Sequence, residues 1–254
     1  MFRKLAVILA GGKGTRLKPY TLALPKPLVP LGDKPVLEII LTQLAEEGFS
    51  DIYIAVNHLA ELIEAYCRDG SRYGLNIRYF LEDKPLGTMG PLRAMDNLPE
   101  DFIVMNGDIL SDLRYGKFLE DHAGNAETLT VACHERIQKV DYGVLEIQDG
   151  VLRGFQEKPQ LKYNVSMGVY ALNRRVTELI PEHAFFGFDD LMHRMLDDGR
   201  KICTYMHAGY WMDIGRPQDY EKASADIESG SFHYGKGGGS HGKVQDSFVQ
   251  PELW

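Results

Sequence analysis

The chain has 254 residues, 44% of them apolar, with 36 acidic against 28 basic side chains for a net charge of −8. This balance excludes a fibrous or wholly disordered chain, and with no net positive field to gather phosphate backbones it argues against a nucleic-acid partner. Three scattered cysteines, Cys67, Cys133 and Cys203, form no CxxC and cannot all pair, which fits reduced thiols in a cytoplasmic protein.

Leu5–Ala10 is a continuous apolar run that ends at once in glycines. It is too short for a signal peptide and reads as a buried parallel strand. Pro35–Gly48 repeats apolar residues at helical spacing, with Gly48 at the C′ position. Asp51–Val56 reads as strand, Leu59–Cys67 as helix and Asn76–Leu81 as strand. Thr88–Leu98 is expected to be a helix, with Thr88 as N-cap and Pro91 in its first turn. Phe102–Met105 is a further buried strand. Strand candidates then dominate: Thr128–Cys133, Tyr142–Ile147, Val151–Gln156 and Val165–Leu172, with Asp149-Gly150 as a hairpin turn. Helices are expected to resume at Arg174–Ile180, Asp189–Asp197 and Pro217–Ile227. No apolar run approaches the roughly 20 residues that cross a bilayer, so no membrane partner is expected. The alternation predicts an α/β fold with a Rossmann-like mixed, mainly parallel sheet flanked by helices and a β-rich acceptor-binding half. The domain is expected over 1–228. Residues 229–254 form a glycine-rich linker and a tail expected to be disordered or loosely docked.

The segment Leu9-Ala10-Gly11-Gly12-Lys13-Gly14-Thr15-Arg16 follows the first strand. Glycines let the backbone approach a phosphate closely and turn successive N–H groups toward an anion. The spacing fits neither a Walker A loop nor the dinucleotide fingerprint. Pro25-Lys26-Pro27 follows within ten residues of Arg16; its prolines disfavour helix and hold Lys26 in an extended loop suited to a polyphosphate. Asp108 sits just past a buried strand, where ligands bind in open parallel sheets and where a carboxylate can hold Mg²⁺ against a phosphate. Asp213 is one acid among large apolar residues, a placement that asks for a partner or a metal. Histidines show no zinc-site spacing, and Asp112, Glu120 and Asp121 read as solvated surface acids.

Together, Gly11-Gly12-Lys13-Gly14-Thr15-Arg16-Leu17-Lys18-Pro19-Tyr20-Thr21 and Pro25-Lys26-Pro27-Leu28-Val29-Pro30 resemble the signature of sugar-1-phosphate nucleotidyltransferases. The resemblance continues at Pro85-Leu86-Gly87-Thr88, Asn106-Gly107-Asp108, Glu157-Lys158-Pro159 and Gly209-Tyr210-Trp211-Met212-Asp213-Ile214-Gly215. It covers about residues 4–227 and implies transfer of a nucleoside monophosphate from a nucleoside triphosphate to a sugar 1-phosphate. It also implies the roles. Leu9, Ala10, Gly11, Gly12, Gly14, Thr15, Arg16, Lys26, Glu82, Pro85, Gly87 and Thr88 bind the nucleotide. Asp108 and Asp213 form the Mg²⁺ pair, and with Arg16 and Lys26 they carry the chemistry. Gly143, Glu157, Lys158 and Ser166 take the sugar phosphate. Ser166 stands where guanylyltransferase relatives often have asparagine, which leaves one sugar contact open.

Glu82 through Leu92 looks most like mannose-1-phosphate and heptose-1-phosphate guanylyltransferases, so GTP is the favoured donor. Uridylyl, thymidylyl or cytidylyl transfer to another sugar or polyol phosphate stays open. So does a non-catalytic nucleotide-sugar-binding regulator, although retention of Arg16, Lys26, Asp108, Lys158 and Asp213 argues against it. A homodimer is one expectation for the assembly.

Overall fold

A computed structural model describes residues 3–125 and 127–234, together with the backbone of 247–249. The chain begins with β1 (Leu5–Leu9) and the short strands β2 (Pro30–Leu31) and β3 (Lys34–Pro35). It continues through α1 (Val36–Glu46), β4 (Asp51–Val56), α2 (Ala60–Cys67), β5 (Asn76–Leu81), β6 (Asp101–Asn106), β7 (Ile109–Ser111) and α3 (Tyr115–Ala123). The second half holds β8 (Leu129–Lys139), β9 (Val144–Gln148), β10 (Val151–Gln156), β11 (Gln160–Asn173), α4 (Phe188–Asp197), β12 (Cys203–Met206), β13 (Trp211–Asp213), α5 (Pro217–Glu228) and β14 (Ser247–Val249). Among these, no helix is long and apolar enough to cross a membrane.

The main sheet has eight strands in the order β14-β12-β8-β11-β6-β1-β4-β5. β1 pairs in parallel with both β4 and β6, and β4 with β5. β11 runs antiparallel between β6 and β8, so the sheet is mixed and mostly parallel. Along β1, Ala6 and Ile8 face one apolar layer while Leu5 and Val7 face the other. The first layer is filled by Leu37, Ile40, Leu41 and Leu44 of α1, Ile63 of α2 and Phe118 of α3. Leu191 and Met195 of α4 fill the second. Burial on both faces explains why the strand reads as a continuous apolar run. After β1 the chain winds to β4 and β5 on one side, then returns to β6 on the other. The order therefore reverses between β1 and β6, and a crevice opens outside their carboxyl ends.

Helix α1 stops at a Schellman motif. Gly48 sits at φ 81°, its N–H donates to the Ala45 carbonyl at 3.1 Å, and the Phe49 N–H reaches the Leu44 carbonyl at 3.1 Å. The expected helix over Thr88–Leu98 does not form; one 3₁₀ turn spans Gly90–Ala94. Thr88 caps a different helix, its Oγ1 accepting from the Phe188 N–H at 2.7 Å at the start of α4. Lys26 is also not fully extended, because Lys26–Leu28 closes a single 3₁₀ turn behind extended Pro25. β8 and β11 run beyond the sheet as an exposed arm that carries the β9–β10 hairpin, turned by Asp149 and Gly150 at positive φ. Of the tail, residues 247–249 pair antiparallel with Thr204–Met206. The glycine run at 235–242 and the terminal residues 250–254 lie outside the described residues.

Candidate active site

The loop after β1 is shaped by its glycines. Gly14 takes φ 59° at the start of the Thr15–Leu17 turn, and a Cβ there would lie 2.8 Å from Thr21 Cγ2. Thr21, buried beneath, donates from Oγ1 to the Gly14 carbonyl at 2.8 Å and pins the loop. Gly12 faces open space, while a Cβ on Gly11 would press on Glu82 Oε1 at 3.2 Å.

This loop walls a cleft of about 520 Å³ at the switch point. Of the nucleotide-binding residues expected from the sequence, Leu9, Ala10, Gly11, Gly12, Lys26, Glu82, Pro85, Gly87 and Thr88 line it, as does Asp108. Gly14, Thr15 and Arg16 follow in the next turn and are not among the residues that line the cleft; Thr15 and Arg16 are exposed. Asn57, Asn106, Phe185 and Asp189 also line the cleft and had no assigned part in the sequence reading. Asn57 directly follows β4, so the rule that singled out Asp108 would have found it. Phe185 comes from the loop before α4 and Asp189 from the first turn of α4, and neither carries a local signal for this cleft. That loop is clamped onto the Leu86–Gly90 segment: Phe186 N–H donates to the Leu86 carbonyl at 2.8 Å, and Met89 N–H to the Phe186 carbonyl at 3.0 Å. Gly87, at φ 79°, permits the approach, since its Cβ would sit 2.6 Å from the Phe186 carbonyl.

Lys26, Asp108 and Asp213 meet although they are far apart in sequence. Asp108 follows β6. Asp213 ends β13, whose ladder with β7 places it opposite Ile109, and the Ile214 N–H donates to the Asp108 carbonyl at 3.1 Å. The Lys26 ammonium donates to Asp108 Oδ2 and lies 3.7 Å from Asp213 Oδ1. Lys26 and Asp108 are largely shielded, while the Asp213 side chain stays 48% exposed at the cleft edge. Partial withdrawal from solvent, reinforced by the Asp108 charge, raises the Asp213 pKa; the Lys26 and Arg16 charges pull it back. Burial likewise raises Glu82, opposed by the Leu86 N–H that reaches Oε2 at 2.9 Å.

Asp108 Oδ1 is buried and has no hydrogen-bond partner among the described residues. An orphaned carboxylate oxygen beside a second carboxylate is a fitting donor set for a hard divalent cation, which binds one or two protein carboxylates and fills its shell with phosphate and water oxygens.

The expected sugar-phosphate residues are not among those lining the cleft. Gly143 and Glu157 lie together where the β9–β10 hairpin joins the far end of the arm, and a Cβ on Gly143 would be 3.2 Å from Glu157 Oε2. Lys158 adopts φ 43°, and the Val140 N–H donates to the Pro159 carbonyl at 3.0 Å across the arm. Ser166 sits where β11 bulges away from β8. Its Oγ donates to Tyr170 Oη and accepts from the Gly168 N–H, each at 3.2 Å. Asp112, read from the sequence as a solvated acid, is exposed, and its Oδ1 also lies 2.8 Å from Nε2 of buried His207.

A Rossmann-like sheet with a glycine loop and a lysine–carboxylate cluster at its switch point defines a nucleotide-binding α/β protein. A family model described as nucleotidyl transferase matches residues 5–230, and the chain belongs to that family. A UTP–glucose-1-phosphate uridylyltransferase from a Synechocystis strain is 34% identical over 245 residues, covering 88% of this chain and 63% of that protein. A mannose-1-phosphate guanyltransferase from Yarrowia lipolytica is 34% identical over 223 residues, covering 84% of this chain and 61% of its own length. The chain thus spans a little over three fifths of these relatives. Among solved structures, HddC from Yersinia pseudotuberculosis superposes with a TM-score of 0.70 at 28% identity, covering 89% of this chain and all of that one. HddC complexed with GMP-PN gives a TM-score of 0.68.

Proposed function

We propose that the chain transfers a nucleoside monophosphate, with GTP the favoured donor, to a mannose- or heptose-type sugar 1-phosphate, giving a nucleoside-diphosphate sugar and pyrophosphate. The observation that carries this reading is the meeting of Lys26, Asp108 and Asp213 at the mouth of the glycine-walled cleft. The named activities of the Yarrowia and Synechocystis relatives support the reaction class, and the nucleotide in the HddC complex supports GTP.

In this reaction a phosphate oxygen of the sugar 1-phosphate bonds to the α-phosphorus as the bond to the bridging β-phosphate oxygen breaks. The nucleophile is already anionic, so no general base is needed. The protein must align two mutually repelling anions and stabilise the charge that shifts between them. The loop from Leu9 to Gly14 and Thr15 hold the triphosphate, Arg16 faces the leaving pyrophosphate, and Lys26 faces the α-phosphate. Asp108 and Asp213 would hold Mg²⁺, which when bound supplies charge neutralisation between the phosphates. Lys158 secures the incoming phosphate, Glu157 and the Gly143 backbone take sugar hydroxyls, and Ser166 borders that site.

Glu82 supports guanine. One carboxylate oxygen is committed to the Leu86 N–H, and Oε1 is left facing Gly11 at the cleft wall. Guanine presents adjacent N–H donors on its pairing edge, which suit a carboxylate acceptor. Uridylyl transfer remains the second reading, favoured by the Synechocystis relative. We further propose that the protein works in the cytoplasm and assembles as a homodimer.

The test crosses GTP, UTP, dTTP, CTP and ATP with a panel of sugar 1-phosphates and reads pyrophosphate release with Mg²⁺. Release with GTP and a mannose- or heptose-type acceptor is expected. Silence across the panel while nucleotide binding persists would point instead to a regulatory homologue.

A further inference from the structure

Asp213 stands on a strand of three residues, and so short a ladder holds its register weakly. Register decides where its carboxylate points. Asp213 lies opposite Ile109, next to Asp108, and a slip of one residue would carry it to the other face. One end of the ladder is fixed by the Ile214 N–H on the Asp108 carbonyl. The other end is held by a pair of side chains that the proposed reaction does not use.

His207 directly follows β12 and is only 3% exposed. Its backbone N–H donates at 2.8 Å to the carbonyl of Cys133 in β8, which ties it to the main sheet. Its Nε2 lies 2.8 Å from Asp112 Oδ1 and 3.3 Å from the Tyr210 carbonyl. Both are acceptors, so this geometry assigns the hydrogen to Nε2. Asp112 immediately follows β7, and its N–H donates back to the Tyr210 carbonyl at 3.2 Å. Gly209 makes the turn feasible, since a Cβ there would lie 2.7 Å from His207 Cε1.

We propose that His207 and Asp112 are positioning residues. They lock the β7–β13 ladder to the main sheet in the register that sets Asp213 beside Asp108, and so hold this carboxylate pair at its full affinity for a divalent cation. The inference rests on the reading that Asp108 and Asp213 share such a cation. A residue that merely supports the fold would change thermal stability and leave metal dependence alone; a register lock changes metal dependence itself.

The experiment uses the full-length, metal-stripped protein with Mn²⁺ as probe, reading free Mn²⁺ by electron paramagnetic resonance and thermal stability by calorimetry with chelator. Asp112→Ala and His207→Ala are expected to weaken Mn²⁺ binding by about tenfold, as loss of groups that orient metal ligands usually does. Asp112→Asn keeps an acceptor for Nε2 and is expected to stay within about threefold of the parent. The Mg²⁺ concentration for half-maximal pyrophosphate release should rise in the same ratio, with the KM for GTP unchanged. Asp112→Ala that folds and binds Mn²⁺ as the parent does would overturn the proposal, whatever its melting temperature. Undiminished Mn²⁺ binding by Asp213→Ala would remove the shared-cation reading itself, and this proposal with it.

Discussion

Lys26→Met keeps most of the aliphatic stem and removes only the ammonium that lies between Asp108 and Asp213. In the resting protein the shielded Asp108 loses its direct ion-pair partner, the larger share of the cost, and the Asp213 share is modest. At the observed 3.7 Å, the attraction to Asp213 is about 1 kcal/mol in a water-like medium and about 4.5 kcal/mol at an effective dielectric of 20. Asp213 is 48% exposed, so solvent screening favours the lower figure. That share, about 1 kcal/mol, would alone lower the melting temperature of a domain this size by about 2–4 °C, and loss of the Asp108 pair lowers it further. During the reaction the same ammonium faces charge moving across the α-phosphate. Removing one such preorganised group typically costs about 3–4 kcal/mol, a fall in kcat of roughly a hundredfold to a thousandfold. The assay is pyrophosphate release at saturating GTP, Mg²⁺ and acceptor, with thermal melts in parallel. Loss of kcat with little change in KM marks a group acting in the transition state. A variant with kcat within about threefold of the parent and a raised KM would refute the assignment and leave Lys26 a ground-state binder.

Thr21→Val keeps the shape beneath the glycine loop and deletes the 2.8 Å hydrogen bond to the Gly14 carbonyl. It should cost about 1 kcal/mol and raise the KM for GTP several-fold, read by melts and initial rates; an unchanged KM would detach Thr21 from the loop's function. Glu82→Gln retains an acceptor for the Leu86 N–H and turns the other terminal group into a donor. The specificity constant for GTP should fall by about tenfold or more relative to UTP, and an unchanged ratio would remove Glu82 from base selection. The raised pKa of Asp213 gives a pH signature. Its folded state holds the proton more tightly than the unfolded chain, so its stability contribution is full below 3.8 and lost as pH rises through the folded value. Divalent binding needs the deprotonated form, so Mn²⁺ affinity measured by calorimetry should fall with pH before an ordinary aspartate would titrate. Affinity that is flat down to pH 4 would contradict this.

The strands buried on both faces were the most legible part of the sequence. β4, buried along nearly its whole length, has the bounds its apolar run indicates, and β5, the half-exposed edge strand, has the bounds its alternation indicates. Thr88–Leu98 failed for a physical reason: Gly87 and Gly90 press against the Ala184–Phe186 loop, and Thr88 spends its hydroxyl on α4. α3 was legible and missed, since Tyr115, Phe118, Leu119 and His122 repeat at helical spacing and are buried together. β7, β12 and β13 are too short for any periodicity to show. The glycine loop, Lys26 and Asp108 could be picked out from local chemistry, but their meeting with Asp213 depends on a ladder between segments about a hundred residues apart. Phe185, and Asp189 in the first turn of α4, are brought to the cleft with the clamp between Phe186 and Leu86–Gly90.

The central claim is that phosphorus moves from the α position of a nucleoside triphosphate to a sugar phosphate. Incubating the protein and Mg²⁺ with GTP labelled at the α-phosphorus, alongside the γ-labelled form, tests it directly against the sugar 1-phosphate panel. The account predicts that α-label enters a phosphatase-resistant product in step with one equivalent of pyrophosphate, while γ-label leaves entirely as pyrophosphate. Label that remains in GTP with every acceptor, or α-label that appears only as free GMP, would contradict it.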